Sequence, residues 1–237
     1  MTLITFTEAS RDKLMNIKAN ALTWWRQGFN VVAVSLQQQS DGSVAKKPLC
    51  EWSGWIKQRQ TEGEFNAQPW DIADGFSVIC SYPNSANLYL AVVDFDAKKV
   101  TEEAKKRGKE LLAKFPITRM EETVSGGLHL VYLSQVKPNP ISQFHDMHAL
   151  ELIAGPKLCI MAPSRGYRTL NDNDLRVVED AEGLFYQILG VADERSRVNE
   201  AFPVTILQQW LNMLKPKLSI AGEGGKLPVY SLSIPYA

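Results

Sequence analysis

The sequence predicts a mixed α/β fold, and two features of the chain carry that prediction. Short apolar runs rich in β-branched and aromatic residues alternate with longer charged segments whose apolar residues recur at helical spacing. The chain has 237 residues, of which 45% are hydrophobic and 22% charged, so it is long enough to bury a substantial core. We expect one domain over residues 1–191 and a shorter segment after it.

The predicted elements follow one another in a regular order. A helix capped near residues 7–10 ends before Gly28, a second helix over 98–115 ends at Pro116, and a short third helix covers 182–189. Strands are predicted where apolar runs are bounded by turn residues, at 30–36, 75–80, 88–96, 121–124, 128–133, 149–153 and 158–162. Residues 37–44, the segment around Lys46 and residues 138–147 are expected to be loops.

The composition changes near residue 192, where we place a boundary. Beyond it the chain is polar, with one amphipathic helix expected at 204–214 and a Gly-rich loop at 221–227. Residues 192–237 are therefore expected to form a helical and loop-like C-terminal appendage, or a linker to a missing domain.

Bulk properties exclude several classes of protein. Lys plus Arg and Asp plus Glu both number 26, so a polyanion would have to bind a local basic patch. The chain has no run of about 18 apolar residues and no secretory signal, so we expect no membrane partner. Its 3 cysteines are far apart and form neither a disulfide framework nor a zinc motif, which favours a cytoplasmic protein.

The strand at 88–96 ends in two carboxylates, Asp94 and Asp96, one residue apart. Because side chains alternate along a strand, both should project from one face and repel each other. At about 4 Å and an effective dielectric constant of about 20, the repulsion is on the order of 4 kcal/mol, which a hard divalent cation would relieve. The alternative is that one aspartate caps the following helix and the other is solvated.

Ser125, Gly126 and Gly127 form a predicted tight turn, and His129 follows in the next strand. Consecutive amides in such a turn can bind an anion, and the Ser125 hydroxyl and His129 would supply further donors. A cationic His129 would neutralise more charge than a neutral one. The alternative is an ordinary hairpin with no ligand.

Two more stretches place charge beside apolar residues. Glu151 lies in the middle of an apolar strand, where an unpaired carboxylate is costly unless a cation or donor meets it. Lys46 and Lys47 precede Trp52 and Trp55. These four residues are either a solvated loop beside core tryptophans or a basic and aromatic wall for phosphate and base contacts.

Taken together, these motifs resemble the bifunctional DNA primase/polymerase (prim-pol) domain of the archaeo-eukaryotic primase superfamily, the type found in replication proteins of plasmids and viruses. The resemblance covers roughly residues 19–189 and rests on the order and spacing of several short motifs. They are Lys46-Lys47-Pro48 followed by Trp52, Val93-Asp94-Phe95-Asp96, Ser125-Gly126-Gly127-Leu128-His129, and Leu150-Glu151-Leu152 leading to Ala162-Pro163-Ser164-Arg165.

The resemblance implies a two-lobed α+β catalytic core. An RRM-like half would carry the acids, and an N-terminal α/β half would supply Lys47 and the tryptophans. Asp94, Asp96 and Glu151 correspond to the family's three metal-binding, catalytic carboxylates, which would hold two Mg²⁺ or Mn²⁺ ions. Ser125 and His129 match positions that hold the triphosphate of an incoming nucleotide, beside the amides of Gly126 and Gly127. Lys47, Arg165 and Tyr167 are further candidates for contacts to nucleotide or template.

The sequence departs from the family pattern at two places. The third acid is often Asp and is here Glu151, one methylene longer, which would alter the metal spacing. Some relatives carry a zinc stem before the third acid. Here His145 and His148 have no cysteine nearby, so we expect them to be structural or solvent-facing and predict no zinc.

The implied activity is template-directed polymerisation of nucleoside triphosphates on single-stranded DNA, including primer synthesis. Since the domain is commonly fused to a helicase, the chain could be a fragment of a longer protein, or a stand-alone enzyme working with a separate helicase. Two rival interpretations remain: a non-catalytic nucleic-acid-binding replication module, and a sugar-nucleotide transferase that also uses Asp-x-Asp with a metal.

Overall fold

The computed structural model describes residues 8–39, 44–96, 98 and 100–192. In this part of the chain the α-helices are α1 (Glu8–Arg26), α2 (Glu62–Asn66), α3 (Glu102–Leu112), α4 (His145–His148) and α5 (Ala181–Leu189). The strands are β1 (Val31–Gln38), β2 (Val44–Pro48), β3 (Gly75–Ile79), β4 (Tyr89–Phe95), β5 (Arg119–Glu122), β6 (Leu128–Ser134), β7 (Leu150–Ile153), β8 (Leu158–Met161), β9 (Arg168–Thr169) and β10 (Arg176–Val178). The prediction of a mixed α and β fold is confirmed.

The strands form two sheets. The first sheet has the order β2-β1-β3-β8 and is antiparallel throughout. The second has the order β7-β4-β6-β5-β9, with β10 added in parallel to the far end of β6. Since β4 lies between β7 and β6, both neighbours of the Asp94 strand are in the second sheet.

Both faces of the second sheet are covered by apolar side chains. On one face Leu90, Val92 and Val131 belong to a buried cluster shared with the first sheet and α1. On the other face Val93 and Leu130 join a cluster formed with α3 and α5. Burial of each large apolar side chain contributes about 1.5–3 kcal/mol. Because side chains alternate along β4, Asp94 shares the face of Leu90 and Val92 and points toward the first sheet.

Local signals account for the helix ends. Thr101 caps α3 by accepting a hydrogen bond from the Ala104 amide at 3.1 Å, and Asp180 caps α5 in the same way through two amides. Gly28, at φ 102°, follows α1, and Gly190, at φ 70°, ends α5. No helix in the described ranges is long and apolar enough to cross a membrane.

The structure differs from the predicted elements in several places, among them the helix α2, which was not predicted. The Lys46 segment is an edge strand, β2, rather than a loop, since an edge strand pairs on one side only and tolerates lysines. Helix α3 begins at Glu102 rather than at 98, because Thr101 caps it. Residues 145–148 form one helical turn, too short to give a periodic signal. The short strands β9 and β10 were not predicted because both are polar or exposed.

Most of the predicted C-terminal appendage, from residue 193 on, lies outside the described residues, as does the amphipathic helix expected at 204–214.

Candidate active site

Three of the predicted site residues form one row across the second sheet. Asp94 of β4 lies directly opposite Glu151 of β7 on one side and directly opposite His129 of β6 on the other. Directly opposed residues in an antiparallel pair project from the same face, so their side chains are neighbours. Residues more than 20 positions apart in the sequence therefore meet at one end of the sheet.

His129 is held as a neutral imidazole beside Asp94. Its Nε2 lies 3.6 Å from Oδ1 of Asp94, and its side chain is only 2% exposed. Burial, with a smaller contribution from the charge of Lys46, lowers the pKa of His129 to about 3. The cationic form considered from the sequence is thus disfavoured in the metal-free protein, and His129 offers one N–H donor and one acceptor.

Asp94 is in an environment that disfavours its own charge. Its pKa is raised to about 6: burial is the largest cause, the neighbouring carboxylates of Asp96 and Glu151 act in the same direction, and Lys46 and His145 act in the opposite direction. A carboxylate with this combination of burial and like charge gains from a bound cation.

Asp96 directly follows β4. Its backbone amide donates to the carbonyl of Ala149 at 3.1 Å, which continues the pairing of β4 with the β7 side of the sheet. Its Oδ1 accepts a hydrogen bond from the Lys98 amide at 2.9 Å. The helix cap of α3 is Thr101, so the alternative in which one aspartate caps that helix does not hold.

The three acids suit a hard divalent cation, because Asp94, Asp96 and Glu151 provide only carboxylate oxygens. The charges of Asp96 and Glu151 both raise the pKa of Asp94. Among the described residues, however, no three His, Cys, Asp or Glu side chains are already grouped closely enough to hold a metal ion. The residue types and their common face fit Mg²⁺ or Mn²⁺, and the three acids would have to converge on it when it binds.

The Ser125–Gly127 turn is closed by its own hydrogen bonds. The Gly126 amide donates to the Thr123 carbonyl at 2.9 Å, and the Gly127 amide donates to Oγ1 of Thr123 at 3.0 Å. Both amides predicted to bind phosphate are therefore engaged within the turn and would have to exchange these partners to bind an anion. The Ser125 hydroxyl, 3.1 Å from Oγ1 of Thr123, is half-buried, and either hydroxyl can be the donor in that contact.

Close packing places this turn beside the acids. A Cβ atom on Gly127 would lie 2.4 Å from the carbonyl oxygen of Phe95, the residue between Asp94 and Asp96. Gly126 has φ 79°, a conformation that L side chains rarely adopt, with open space around it. Glycine is thus required at position 127 by the lack of space and favoured at position 126 by the backbone conformation, and the turn lies against the end of β4.

The remaining predicted contacts fall in two groups. Tyr167 is buried, with its ring centroid 5.9 Å from that of His129, so it borders the row of site residues. Arg165 forms an ion pair with Asp74 at 3.1 Å and also donates to the carbonyl of Leu36, which ties its loop to the first sheet.

Lys47 and Lys46 are neighbours in β2 and project from opposite faces. Lys47 lies opposite Ser35, and Lys46 lies opposite Leu36 with its Nζ 6.0 Å from the centre of the Tyr167 ring. The lysine on the side of Tyr167 is thus Lys46, whereas the sequence analysis selected Lys47. A contact of Lys47 with nucleotide or template stays a prediction.

Three residues of this region were not selected for the site from the sequence. Lys46 was named only as part of a possible basic and aromatic wall, His145 was expected to be structural or solvent-facing, and Glu121 was not considered. Glu121 lies directly opposite His129 on β5 and extends the polar row. A glutamate inside a strand is the same signal that identified Glu151, so it could have been found. Lys46 could be selected only once its segment was known to be a strand. The effect of His145 on the pKa of Asp94 depends on the three-dimensional fold and leaves no local signal in the sequence.

Comparison with known families gives one match. The family model described as "Bifunctional DNA primase/polymerase, N-terminal" matches residues 21–182, which include all the candidate site residues. No curated protein matches the chain.

Proposed function

The chain belongs to the bifunctional DNA primase/polymerase family, and we propose that it extends and initiates DNA strands on a single-stranded template by metal-dependent nucleotidyl transfer. Membership itself implies primase/polymerase chemistry in DNA replication, with a DNA template and nucleotide substrates. The proposal adds the residues, the two ions and the ability to start without a primer.

The observation that carries the proposal is the row of Glu151, Asp94 and His129 on three adjacent strands, with Asp96 at the end of the same strand. A purely structural sheet would have no reason to collect like charges where burial raises the pKa of Asp94 to about 6. Nucleotidyl transfer would use such a collection, because the carboxylates can hold divalent cations that neutralise the anionic phosphate and its leaving group.

Each residue has a proposed role. Asp94, Asp96 and Glu151 would hold two Mg²⁺ or Mn²⁺ ions, which would activate the attacking 3′-hydroxyl and stabilise the departing pyrophosphate. The neutral His129 donates or accepts one hydrogen bond at the edge of the carboxylate site, and the Ser125 hydroxyl donates to a phosphate oxygen. The buried Tyr167 ring limits the space beside His129.

The biological setting is also part of the proposal. We infer replication of a plasmid or virus-like element, with a fused or separate helicase opening the duplex. What supports this is the type of domain alone, since a primase/polymerase needs single-stranded DNA and a helicase supplies it.

The decisive experiment measures incorporation of deoxynucleotides and, separately, of ribonucleotides on single-stranded DNA. It is run with and without an annealed primer and with Mg²⁺ or Mn²⁺. We expect unprimed and primed products from the native protein and a loss on the order of 10³-fold in Asp94→Asn. Glu110→Gln, which removes a carboxylate of a surface ion pair on α3, is the matched control and should retain native activity.

Other outcomes would change the conclusion. Products only with an annealed primer would reduce the proposal to a polymerase that needs a separate initiator. Intact binding of single-stranded DNA with no products under any condition would favour the non-catalytic binding module. Metal-dependent sugar transfer with no response to DNA would favour the sugar-nucleotide transferase.

A further inference from the structure

A chain of contacts joins one lysine of the first sheet to the carboxylates of the second. Lys46 extends from the edge strand β2 with its Nζ 6.0 Å from the centre of the Tyr167 ring. The Tyr167 ring lies 5.9 Å from the His129 ring, and Nε2 of His129 lies 3.6 Å from Oδ1 of Asp94. Lys46 thus reaches the site from the opposite lobe, over residues that are themselves buried.

The charges around this site single out Lys46. His129 is neutral, because burial lowers its pKa to about 3. Arg165, another cation of the sequence motifs, is engaged by Asp74. His145 also acts to lower the pKa of Asp94, from α4. Burial acts to lower the pKa of Lys46, but Tyr167 and Asp94 outweigh it and the net shift is upward, so the ammonium stays protonated.

We propose that Lys46 is the resident counter-charge of the carboxylate site, which it reaches across Tyr167 and His129 in the metal-free protein, and that its ammonium moves to the triphosphate once metal ions occupy the acids. The inference rests on the proposed function and deepens it, because it assigns a substrate-binding residue that the sequence analysis did not select.

Physical properties of lysine fit this exchange. The side chain is exposed and sits on an edge strand, so its flexible stem can move the ammonium by several ångströms without disturbing a ladder hydrogen bond. A divalent ion bound to the acids repels the ammonium, while the triphosphate that enters with it attracts the same charge. Lys46 should therefore oppose metal binding and favour nucleotide binding.

Those two effects have opposite signs, which a structural role would not produce. The first test titrates Mn²⁺ alone, without nucleotide, at pH 8 and low salt, and follows free Mn²⁺ by electron paramagnetic resonance. We expect Lys46→Met to bind Mn²⁺ about 5-fold more tightly, since a repelling charge is removed, and Lys46→Arg to bind like the native protein. Lys47→Met, with the same charge loss on the opposite face of β2, should leave Mn²⁺ affinity within about 2-fold of native.

The second test measures the KM for deoxynucleotide at saturating Mn²⁺. Lys46→Met should raise it about 10-fold, and Lys46→Arg should restore most of the loss. Unchanged or weaker Mn²⁺ binding in Lys46→Met would overturn the inference, as would an unchanged KM. If Lys46→Met fails to fold, Lys46→Gln replaces it with the same two expectations.

Failure of this inference is distinguishable from failure of the proposed function. If the native protein binds Mn²⁺ and incorporates nucleotides while the Lys46 variants behave like it, only the role of Lys46 is wrong. If the native protein neither binds Mn²⁺ nor incorporates nucleotides, both proposals fail together.

Discussion

Asp94 and Glu121 both face His129 across the second sheet, one from β4 and the other from β5, yet their surroundings are opposite. Glu121 is completely buried and fully paired: Arg119 approaches it at 2.8 Å, and the Ala162 amide donates to its Oε2 at 2.9 Å. Burial raises the pKa of Glu121 as well, but the Ala162 amide and Arg119 both act to lower it. The contact with Ala162 also ties β5 to the residue that follows β8.

Asp94 has no comparable partner among the described residues. It lies 3.6 Å from a neutral His129, and two further carboxylates raise its pKa. Only the more distant Lys46 and His145 act to lower it. The difference teaches that burial alone does not mark a functional acid. The acid that the chain leaves without a close cation is the one suited to bind a cation from solution.

The largest expected effect removes the paired acid. Glu121→Ala leaves the Ala162 amide unsatisfied and Arg119 without its partner, and should lower the free energy of unfolding by about 3 kcal/mol. Urea denaturation measures this. The control is Glu122→Ala on the same strand, whose partner Arg168 lies at the surface, and it should cost less than about 1 kcal/mol. Equal losses in the two variants would remove the contrast between Glu121 and a surface acid.

The second largest effect is a gain in the free energy of unfolding when Asp94 loses its charge. Asp94 has a folded-state pKa of about 6 against an ordinary value of 3.8, so its charge destabilises the metal-free fold. The penalty is absent below pH 3.8, grows as pH rises toward 6 and is complete above it. Asp94→Asn should therefore raise the free energy of unfolding by about 2 kcal/mol at pH 8 and by little at pH 4.

Thermal unfolding of native protein and Asp94→Asn over this pH range, with and without Mn²⁺, measures the effect. Mn²⁺ should stabilise the native protein and leave Asp94→Asn nearly unchanged. If Asp94→Asn is less stable than the native protein at pH 8, Asp94 is a structural acid like Glu121, and the two acids do not differ in role.

A third effect concerns the turn that packs against the Asp94 strand. Gly127→Ala would put its Cβ 2.4 Å from the Phe95 carbonyl oxygen, so the turn or the end of β4 must shift. We expect a loss of about 2 kcal/mol in stability together with weaker Mn²⁺ binding. Gly126→Asn, at φ 79° with open space around it, should cost less than about 1 kcal/mol, because asparagine tolerates this conformation.

If Gly127→Ala lowers stability but leaves Mn²⁺ affinity unchanged, the turn supports the fold without positioning the acids. The difference between Asp94 and Glu121 would then come from the sheet and not from the turn.

The sequence predicted the acids better than it predicted their neighbours. The pattern in β4 identified Asp94 and Asp96, and the charge inside an apolar strand identified Glu151, because both signals are local. That these residues meet His129 depends on the strand order β7-β4-β6, which comes from pairing between distant segments. Local patterns do not contain that order.

The same limit explains the lysines. Selecting Lys46 over Lys47 requires a strand with a known register, and the polar segment gave no strand signal. The engaged amides of Gly126 and Gly127 could not be anticipated either, because the Thr123 hydroxyl that accepts from Gly127 lies four residues earlier. Glycines predict a tight turn, but the turn's own hydrogen bonds decide which donors remain.

The smallest expected effect applies the comparison to two hydroxyls of that turn. Thr123 is buried and accepts from the Gly127 amide, so its hydroxyl is structural, like Glu121. Ser125 is half-buried and its hydroxyl lies 3.1 Å from Oγ1 of Thr123, so it can turn toward a ligand and resembles Asp94 in that respect.

Ser125→Ala should change the free energy of unfolding by no more than about 0.5 kcal/mol while raising the KM for nucleotide about 3-fold. Thr123→Val should instead lower the free energy of unfolding by about 1 kcal/mol. Steady-state kinetics and urea denaturation of both variants test this division, and a stability loss in Ser125→Ala with an unchanged KM would assign Ser125 to the structural group.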